Sequence, residues 1–149
     1  MPSIRENIIQ DVKQTLEDMS AGAGYHYDWE HVYLFPPSQI HAYPSALVSE
    51  NGERQADLAY PKIERVLEIE IYGIHRVITS VADAPSTSAR QLIADVERAL
   101  MQDPTRGDNA VDSRLLRTEP PLLGDDWVQV VVVIEVVYHT SRTDPNSEV

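Results

Sequence analysis

Two imidazole and two carboxylate side chains lie within six residues near the N-terminus, in the segment His26-Tyr27-Asp28-Trp29-Glu30-His31. Such groups are ligands that divalent metal ions accept in proteins. The spacing matches no zinc motif, and His26 and His31 would share one face only if the segment were helical. Because glycines precede the segment and aromatic residues fill it, we expect a hydrogen-bonded loop rather than a metal site, and we predict no cofactor.

A second group of ionisable residues is the acidic row Glu64, Glu68 and Glu70, which stands among branched apolar residues. Alternate residues of a strand lie on one face about 7 Å apart, a separation at which paired carboxylates can hydrolyse glycosides. Such catalysis also needs a cleft that separates the two pKa values, and no pattern in the sequence indicates one. We therefore expect an acidic strip that faces solvent or a channel, and we predict no enzyme activity.

The chain lacks the residues and motifs that several other kinds of catalytic or binding site require. The chain of 149 residues has no cysteine, which excludes disulfides, cysteine-ligated metal centres and thiol catalysis. It contains no Gly-x-Ser-x-Gly elbow, no P-loop and no dinucleotide-binding glycine motif. The aromatic residues of segment 25–35 could stack on nucleic-acid bases. They lack interleaved Arg and Lys, so packing or a protein interface is the better interpretation.

The charge balance restricts the class of partner. The chain has 24 acidic and 12 basic residues, a net charge of -12. Binding to DNA or to an anionic membrane requires an excess of Lys and Arg, so we expect neither.

The N-terminus alternates apolar and charged residues, which predicts neither a signal peptide nor a membrane span there. The length is typical of one domain, which we place at 1–139 with a flexible tail at 140–149.

Two amphipathic helices are expected to position these residues. Ser3 and Glu6 form a capping-box pattern, after which apolar residues recur at helical spacing and predict a helix over about 3–20. Ser88 and Gln91 repeat the pattern and predict a second helix over about 88–101.

Alternating apolar residues predict strands at 31–35, 44–48, 62–79, 110–118 and 127–139. Gly73 indicates a bulge or bend, and Asn51-Gly52 indicates an exposed hairpin turn. The last strand is apolar on both faces, which predicts a central strand whose second face is covered by this chain or by a partner subunit. Together the elements predict an α+β fold: a mainly antiparallel sheet with two helices packed on one face.

The order and size of these elements resemble the tail terminator, or tail completion, proteins of long-tailed bacteriophages, the minor tail protein U type. Three parts carry the resemblance: a helix from Ile4 to Met19, a helix from Ser88 to Met101 after a long strand, and a valine-rich final strand. The most specific part is the end of that strand, which runs into Tyr138-His139-Thr140 and then Asp144-Pro145. Segment 25–45 matches no feature of the family.

The resemblance implies a structural role. Such proteins are similar in being α+β subunits that form a hexameric ring on the head-proximal end of the tail tube, where they stop tube polymerisation and offer a surface for head–tail joining. The implied partners are further copies of the chain, the tail tube protein and a head–tail connector, in a virion assembled in the host cytoplasm. DNA would pass through without specific binding. Rings of this kind use heterologous interfaces that close, and whether the free subunit is monomeric stays open.

Under this resemblance, two sets of residues become candidate sites. The first is a contact with the tube or a neighbouring subunit, formed by Glu50, Asn51, Gly52, Glu53 and Arg54. The second is a channel lining, in which negative charge would repel passing DNA, formed by Glu64, Glu68 and Glu70. Two other classes remain open. One is a different neck or head–tail connector protein, and the other is a small metal-assisted enzyme that uses His26 and His31.

Overall fold

The computed structural model describes residues 2–77 and 84–148. Its elements are α1 (Ile4–Glu17), β1 (His31–Tyr33), β2 (Ser45–Asp57), β3 (Lys62–Arg76), α2 (Ala84–Leu100), β4 (Asp112–Thr118), β5 (Leu122–Leu123) and β6 (Trp127–Ser141). These strands form a six-stranded sheet in the order β1-β2-β3-β6-β4, and β5 also pairs with β6. β1 and β2 are parallel, and the other pairings are antiparallel. The predicted α+β fold with a mainly antiparallel sheet is confirmed.

Helix α1 forms because Ser3 caps its start and one apolar stripe is buried. The Ser3 hydroxyl accepts a hydrogen bond from the Glu6 backbone N–H at 3.0 Å. The Glu6 carboxylate accepts from the Gln10 side chain instead of completing a capping box. The buried residues of the helix have the predicted spacing: Ile4, Ile8, Ile9, Val12 and Leu16. The helix ends at Glu17, before the predicted end at 20.

Helix α2 begins at Ala84, so the predicted start at Ser88 is wrong. Ser88 is buried inside the helix. The Tyr27 hydroxyl lies 3.1 Å from Ser88 Oγ and 2.9 Å from Gln91 Oε1. The two residues that resemble a capping box therefore bind a tyrosine from another part of the chain. Neither described helix is long and apolar enough to cross a membrane.

Both helices cover the same side of the sheet, which we call the helix face. Helix α1 contacts β1 and β2, and α2 contacts β6. Alternate residues of β3, namely Leu67, Ile69 and Ile71, are buried beneath them. The buried residues of β6 on this face are Val128, Val130, Val132, Ile134, Val136 and Tyr138. Because β6 lies between β3 and β4, its predicted central position is confirmed.

The opposite side of the sheet, the open face, has no helix over it in the described part of the chain. The cross-strand pairs on this face include Glu68 with Glu135 and Glu70 with Val133. Val133 and Val137 of β6 are nevertheless buried. Long charged side chains from neighbouring strands, described below, extend across this face and shield the valines from solvent.

The hairpin turn predicted at Asn51-Gly52 is wrong. β2 continues through these residues to Asp57, and its register against β3 shifts between Glu50 and Glu53, which is a β-bulge. Gly52 has a φ of 104°, a conformation open to glycine and costly for other residues. The tolerance of glycine for a positive φ, which favours a turn here, also supports a bulge. The chain turns between β2 and β3 at 58–61 instead.

Gly73 is not a bulge, because it pairs in register with Ala46 on one side and Val130 on the other. β3 ends at Arg76, and the predicted extension to 79 falls partly on residues 78–79, which lie outside the described residues. β6 reaches Ser141, beyond the predicted domain boundary at 139, and both Thr140 and Ser141 are buried. The first two residues assigned to a flexible tail therefore belong to the sheet.

Candidate functional site

The open face carries a row of paired charges that crosses four strands. Glu68 of β3 and Glu135 of β6 are direct cross-strand partners, an arrangement that destabilises a sheet unless the charges are compensated. Arginines from both flanking strands provide the compensation. Arg54 of β2 lies 3.1 Å from the Glu135 carboxylate, and Arg117 of β4 lies 2.9 Å from that of Glu68.

A bulge in β4 brings a further arginine to this face. Arg114 and Arg117 are three residues apart and would point to opposite faces of a regular strand. The register against β6 shifts between Leu115 and Arg117, so both arginines lie on the open face. Arg114 pairs opposite Glu135, with its Nη2 atom 4.0 Å from the carboxylate. Three arginines on two strands thus flank the two central glutamates.

The predicted acidic strip lies on one face of β3, and two of its three carboxylates, those of Glu68 and Glu70, are paired with an arginine. The hydrogen bond from Arg117 holds the pKa of Glu68 below its usual value. Arg117 Nη2 also lies 4.0 Å from Glu70, and Glu64 lies 3.8 Å from His139 of β6. We call the whole set the charged band; it consists of Arg54, Glu64, Glu68, Glu70, Arg114, Arg117 and Glu135.

The predicted contact segment 50–54 is divided between the two faces of the sheet. Because of the bulge, Glu50 and Glu53 both lie on the helix face, and Arg54 lies on the open face. Glu50, Asn51, Gly52 and Arg54 are exposed. The Glu53 side chain is only 6% exposed, so it does not belong to a contact surface.

Glu53 is the centre of a hydrogen-bonded cluster on the helix face. Its carboxylate accepts hydrogen bonds from Arg65 Nη1 at 2.9 Å and from the Tyr138 hydroxyl, and it lies 3.6 Å from Arg5 of α1. Burial acts to raise the pKa of Glu53, but the hydrogen bonds from Tyr138 and Arg65 outweigh it, so the pKa lies below its usual value. Burial and the bond to Glu53 raise the pKa of Tyr138. The cluster therefore depends on an ionised Glu53.

The two histidines considered as metal ligands have different partners. His26 Nδ1 lies 2.8 Å from the carboxylate of Asp95 in α2, which also accepts the backbone N–H groups of His26 and Tyr27. The His31 ring contacts the Tyr33 ring at a centroid distance of 4.2 Å. Residues 26–30 form the expected hydrogen-bonded loop. Among residues 2–77 and 84–148, no three His, Asp or Glu side chains are grouped as metal ligands.

Arg114, Arg117 and Glu135 were not predicted as members of a common site. Their assembly depends on the pairing of β4 and β3 with β6, which joins residues far apart in the sequence. The local signal is weak: two arginines separated by two leucines fit a regular strand equally well, with one arginine on each face.

Comparison with known proteins gives no family assignment. No protein-family model matches the chain, and no curated protein matches its sequence.

Proposed function

We propose that the chain is a structural subunit of a bacteriophage tail terminator, whose copies form a ring on the head-proximal end of the tail tube and provide the surface for head–tail joining. The proposal rests on one observation: one face and one apolar edge of the sheet are uncovered by the described part of the chain. In the ring, neighbouring copies and the tube cover the apolar edge, and the open face lines the channel. The virion is then where the protein acts, after assembly in the host cytoplasm.

The uncovered apolar surface is concentrated at one edge of the sheet. Nine large apolar side chains are exposed in residues 2–77 and 84–148, and six of them lie in or beside β4, β5 and the start of β6. These six are Val111, Leu115, Leu116, Leu122, Leu123 and Trp127. Edge strands with exposed apolar side chains associate readily with other strands. This favours an assembly protein over one that works as a free monomer.

The charged band is suited to a face that DNA passes without binding. It contains four glutamates and three arginines, a net charge of -1. The ion pairs leave no excess of cations for phosphate groups, and phosphate neutralisation is what drives non-specific DNA binding. We therefore retain Glu64, Glu68 and Glu70 as the proposed channel lining, in which Arg117 is the partner of Glu68 and Glu70.

Inhibition of tube growth tests the proposal. Purified protein is added to polymerising tail tube protein from the same genome, and tube lengths and ends are recorded by electron microscopy. We expect a ring at one end of each tube and arrested elongation. Tubes that keep growing with bare ends would contradict the proposal. Binding to a purified portal or connector, without binding to tube ends, would instead identify another neck protein.

A further inference from the structure

We infer that Asn51 is a self-modification site, at which the backbone nitrogen of Gly52 attacks the side-chain amide of Asn51 and the amide becomes a carboxylate. The inference concerns the chain by itself and goes beyond the proposed function. It assigns a covalent reaction, deamidation, to the two residues that form the bulge of β2.

The reaction consumes water and needs no cofactor. The Gly52 nitrogen loses its proton to solvent base and forms a bond to Cγ of Asn51, which closes a succinimide ring. The bond between Cγ and Nδ2 breaks, Nδ2 takes up a proton, and ammonia leaves. Water then opens the ring at either carbonyl and gives aspartate or isoaspartate. The nucleophile and the amide belong to adjacent residues, so their effective concentration is high.

Glycine at position 52 removes the main steric obstacle to ring closure. Any other residue places a Cβ atom close to the attacking nitrogen, and glycine has none. Gly52 also has open surroundings, because a Cβ atom built on it would meet no atom of the described residues within 4 Å. Both Asn51 and Gly52 are exposed, so solvent base and water can reach the reacting atoms.

The bulge keeps these two residues out of the regular ladder between β2 and β3. The register shifts between Glu50 and Glu53, so neither Asn51 nor Gly52 has a registered partner residue in β3. A regular ladder holds each peptide unit extended and bonded to its neighbour. The φ of 104° at Gly52 lies outside the strand region. We therefore expect the folded chain to permit a ring closure that a regular strand would hinder.

Three further asparagines provide a comparison within the same chain, each followed by a residue with a Cβ atom: Asn7, Asn109 and Asn146. Asn7 lies within α1, whose hydrogen bonds engage the next backbone N–H. The N–H that follows Asn109 donates to the carbonyl of Thr105 at 2.8 Å. The N–H that follows Asn146 donates to the carbonyl of Asp144 at 3.1 Å. These nitrogens are less available for attack, so Asn51 should react first.

The reaction would change the electrostatics beside the charged band. The Asn51 amide donates a hydrogen bond to the Glu68 carboxylate. The product carboxylate cannot donate this bond and places a negative charge next to Glu68 instead. The charged band taken together with residue 51 would change from a net charge of -1 to -2. Deamidation would therefore break one contact of Glu68 and make the open face more acidic.

Incubation of the purified chain in mildly alkaline buffer tests the inference. Peptides from a protease digest are analysed by mass spectrometry at intervals, and conversion of amide to acid is followed at each of the four asparagines. We expect Asn51 to convert at least about tenfold faster than each of the other three, a difference of about 1.4 kcal/mol in activation free energy. The product should elute later than the unmodified chain from an anion-exchange column.

Two variants separate this reaction from other changes in charge. Asn51→Gln keeps an amide that can donate to Glu68, but its longer side chain would have to close a larger ring, so we expect no conversion at position 51 over the same time. Asn51→Asp supplies the charged product directly and should elute with the aspartate form of the wild type. Circular dichroism checks that both variants fold.

The same incubation in urea shows whether the fold permits the reaction. We expect Asn51 to convert in both the folded and the urea-unfolded chain. Conversion in urea alone would overturn the inference, because the bulge would then protect the amide. Equal rates at Asn51 and Asn146 in the folded chain would also overturn it, since position 51 would have no special reactivity. Neither result bears on the proposed function, which is tested by the capping of tail tubes.

Discussion

The carboxylate of Glu53 connects four elements, because it lies on β2 and contacts Arg5 of α1, Arg65 of β3 and Tyr138 of β6. Arg65 also donates a hydrogen bond to Thr140 at 2.7 Å, so the cluster extends to the end of β6. Hydrogen bonds to an ionised group are stronger than those between neutral groups. Protonation of this one carboxylate should therefore weaken the attachment of α1 to the sheet.

Glu53→Gln is expected to lower the free energy of unfolding at neutral pH by about 2 kcal/mol, because the amide loses charge-assisted bonds. The folded pKa of Glu53 lies below its ordinary value of 4.5. Its stabilising contribution is therefore present above that value and lost as the pH falls through the folded pKa. Urea unfolding from about pH 7 to about pH 3 measures the difference between variant and wild type.

We expect that difference to shrink below pH 4.5, the ordinary pKa of the group. Glu50→Gln is the matched control, because Glu50 contacts the same Arg5 from an exposed position and exposed ion pairs contribute little. A destabilisation by Glu53→Gln that stays constant over the whole pH range would show that the charge of Glu53 is not its source.

Position 73 requires glycine because neighbouring side chains lie where a Cβ atom would be, and not because of its backbone conformation. A Cβ atom there would lie 2.9 Å from Cη2 of Trp29 and 3.0 Å from Cγ2 of Val130. Gly73→Ala should therefore lower the free energy of unfolding by about 1–3 kcal/mol through overpacking. Gly22→Ala, whose nearest atom would be 3.9 Å away, is the control. Thermal unfolding compares the two, and equal losses would contradict the packing argument.

At the scale of elements, two bulges decide which side chains share a face. One places Glu50 and Glu53 together on the helix face, and the other places Arg114 and Arg117 together on the open face. Residues three apart lie on opposite faces of a regular strand, and a bulge reverses this. The extra residue is defined only against the partner strand, so a pattern within one strand could not predict either pair.

Elements whose apolar residues follow one period were predicted well. α1 and β6 agree with their predicted ranges to within three residues at each end, because the buried residues themselves define the period. Turn and cap patterns were less reliable. Asn51-Gly52 supports a bulge, and Ser88 is a buried partner of Tyr27, 61 residues away in the sequence. Both patterns describe what a short segment tolerates, and long-range contacts decide which structure it adopts.

Helix α2 holds the loop at residues 26–30 through one buried side chain, that of Asp95. The Asp95 carboxylate accepts the backbone N–H groups of His26 at 2.8 Å and Tyr27 at 3.0 Å. Asp95→Ala leaves both donors without their acceptor and should lower the free energy of unfolding by about 3 kcal/mol. Hydrogen exchange should accelerate at the amides of His26 and Tyr27.

The control for this prediction is Glu97→Ala on the same helix, because the carboxylate of this half-buried residue bonds only to Thr118 among the described residues. Its effect on stability should be within about 0.5 kcal/mol. Unchanged amide protection at His26 and Tyr27 in Asp95→Ala would mean that other contacts hold the loop.

At the scale of the whole molecule, the net charge of -12 is not concentrated on the charged band. The seven residues of the band carry a net charge of -1, so nearly all of the excess lies elsewhere on the chain. Composition leads us to expect no DNA binding, but it does not predict where the charges lie, because the pairing with arginine depends on the sheet topology. The acidic residues of the open face compensate cations as well as contributing to the net charge.

Replacing Glu64, Glu68 and Glu70 with glutamine should therefore increase the affinity of the open face for DNA. The band would change from a net charge of -1 to +2, since Glu135 would be its one remaining glutamate, while Arg117 would keep its ion pair with Glu119 outside the band. We expect the purified triple variant to bind duplex DNA at low salt and to lose that binding as salt is raised. Fluorescence anisotropy of labelled DNA measures both effects, and the wild-type chain should not bind.

The opposite change supplies the control for the DNA prediction. Arg117→Gln makes the band more negative, at -2, and should leave DNA unbound. In the proposed ring, the triple variant should slow DNA delivery while Arg117→Gln does not. A triple variant that binds DNA in solution but delivers it at the normal rate would place the open face away from the channel. If the triple variant does not bind DNA at all, the three glutamates do not determine whether this surface binds DNA.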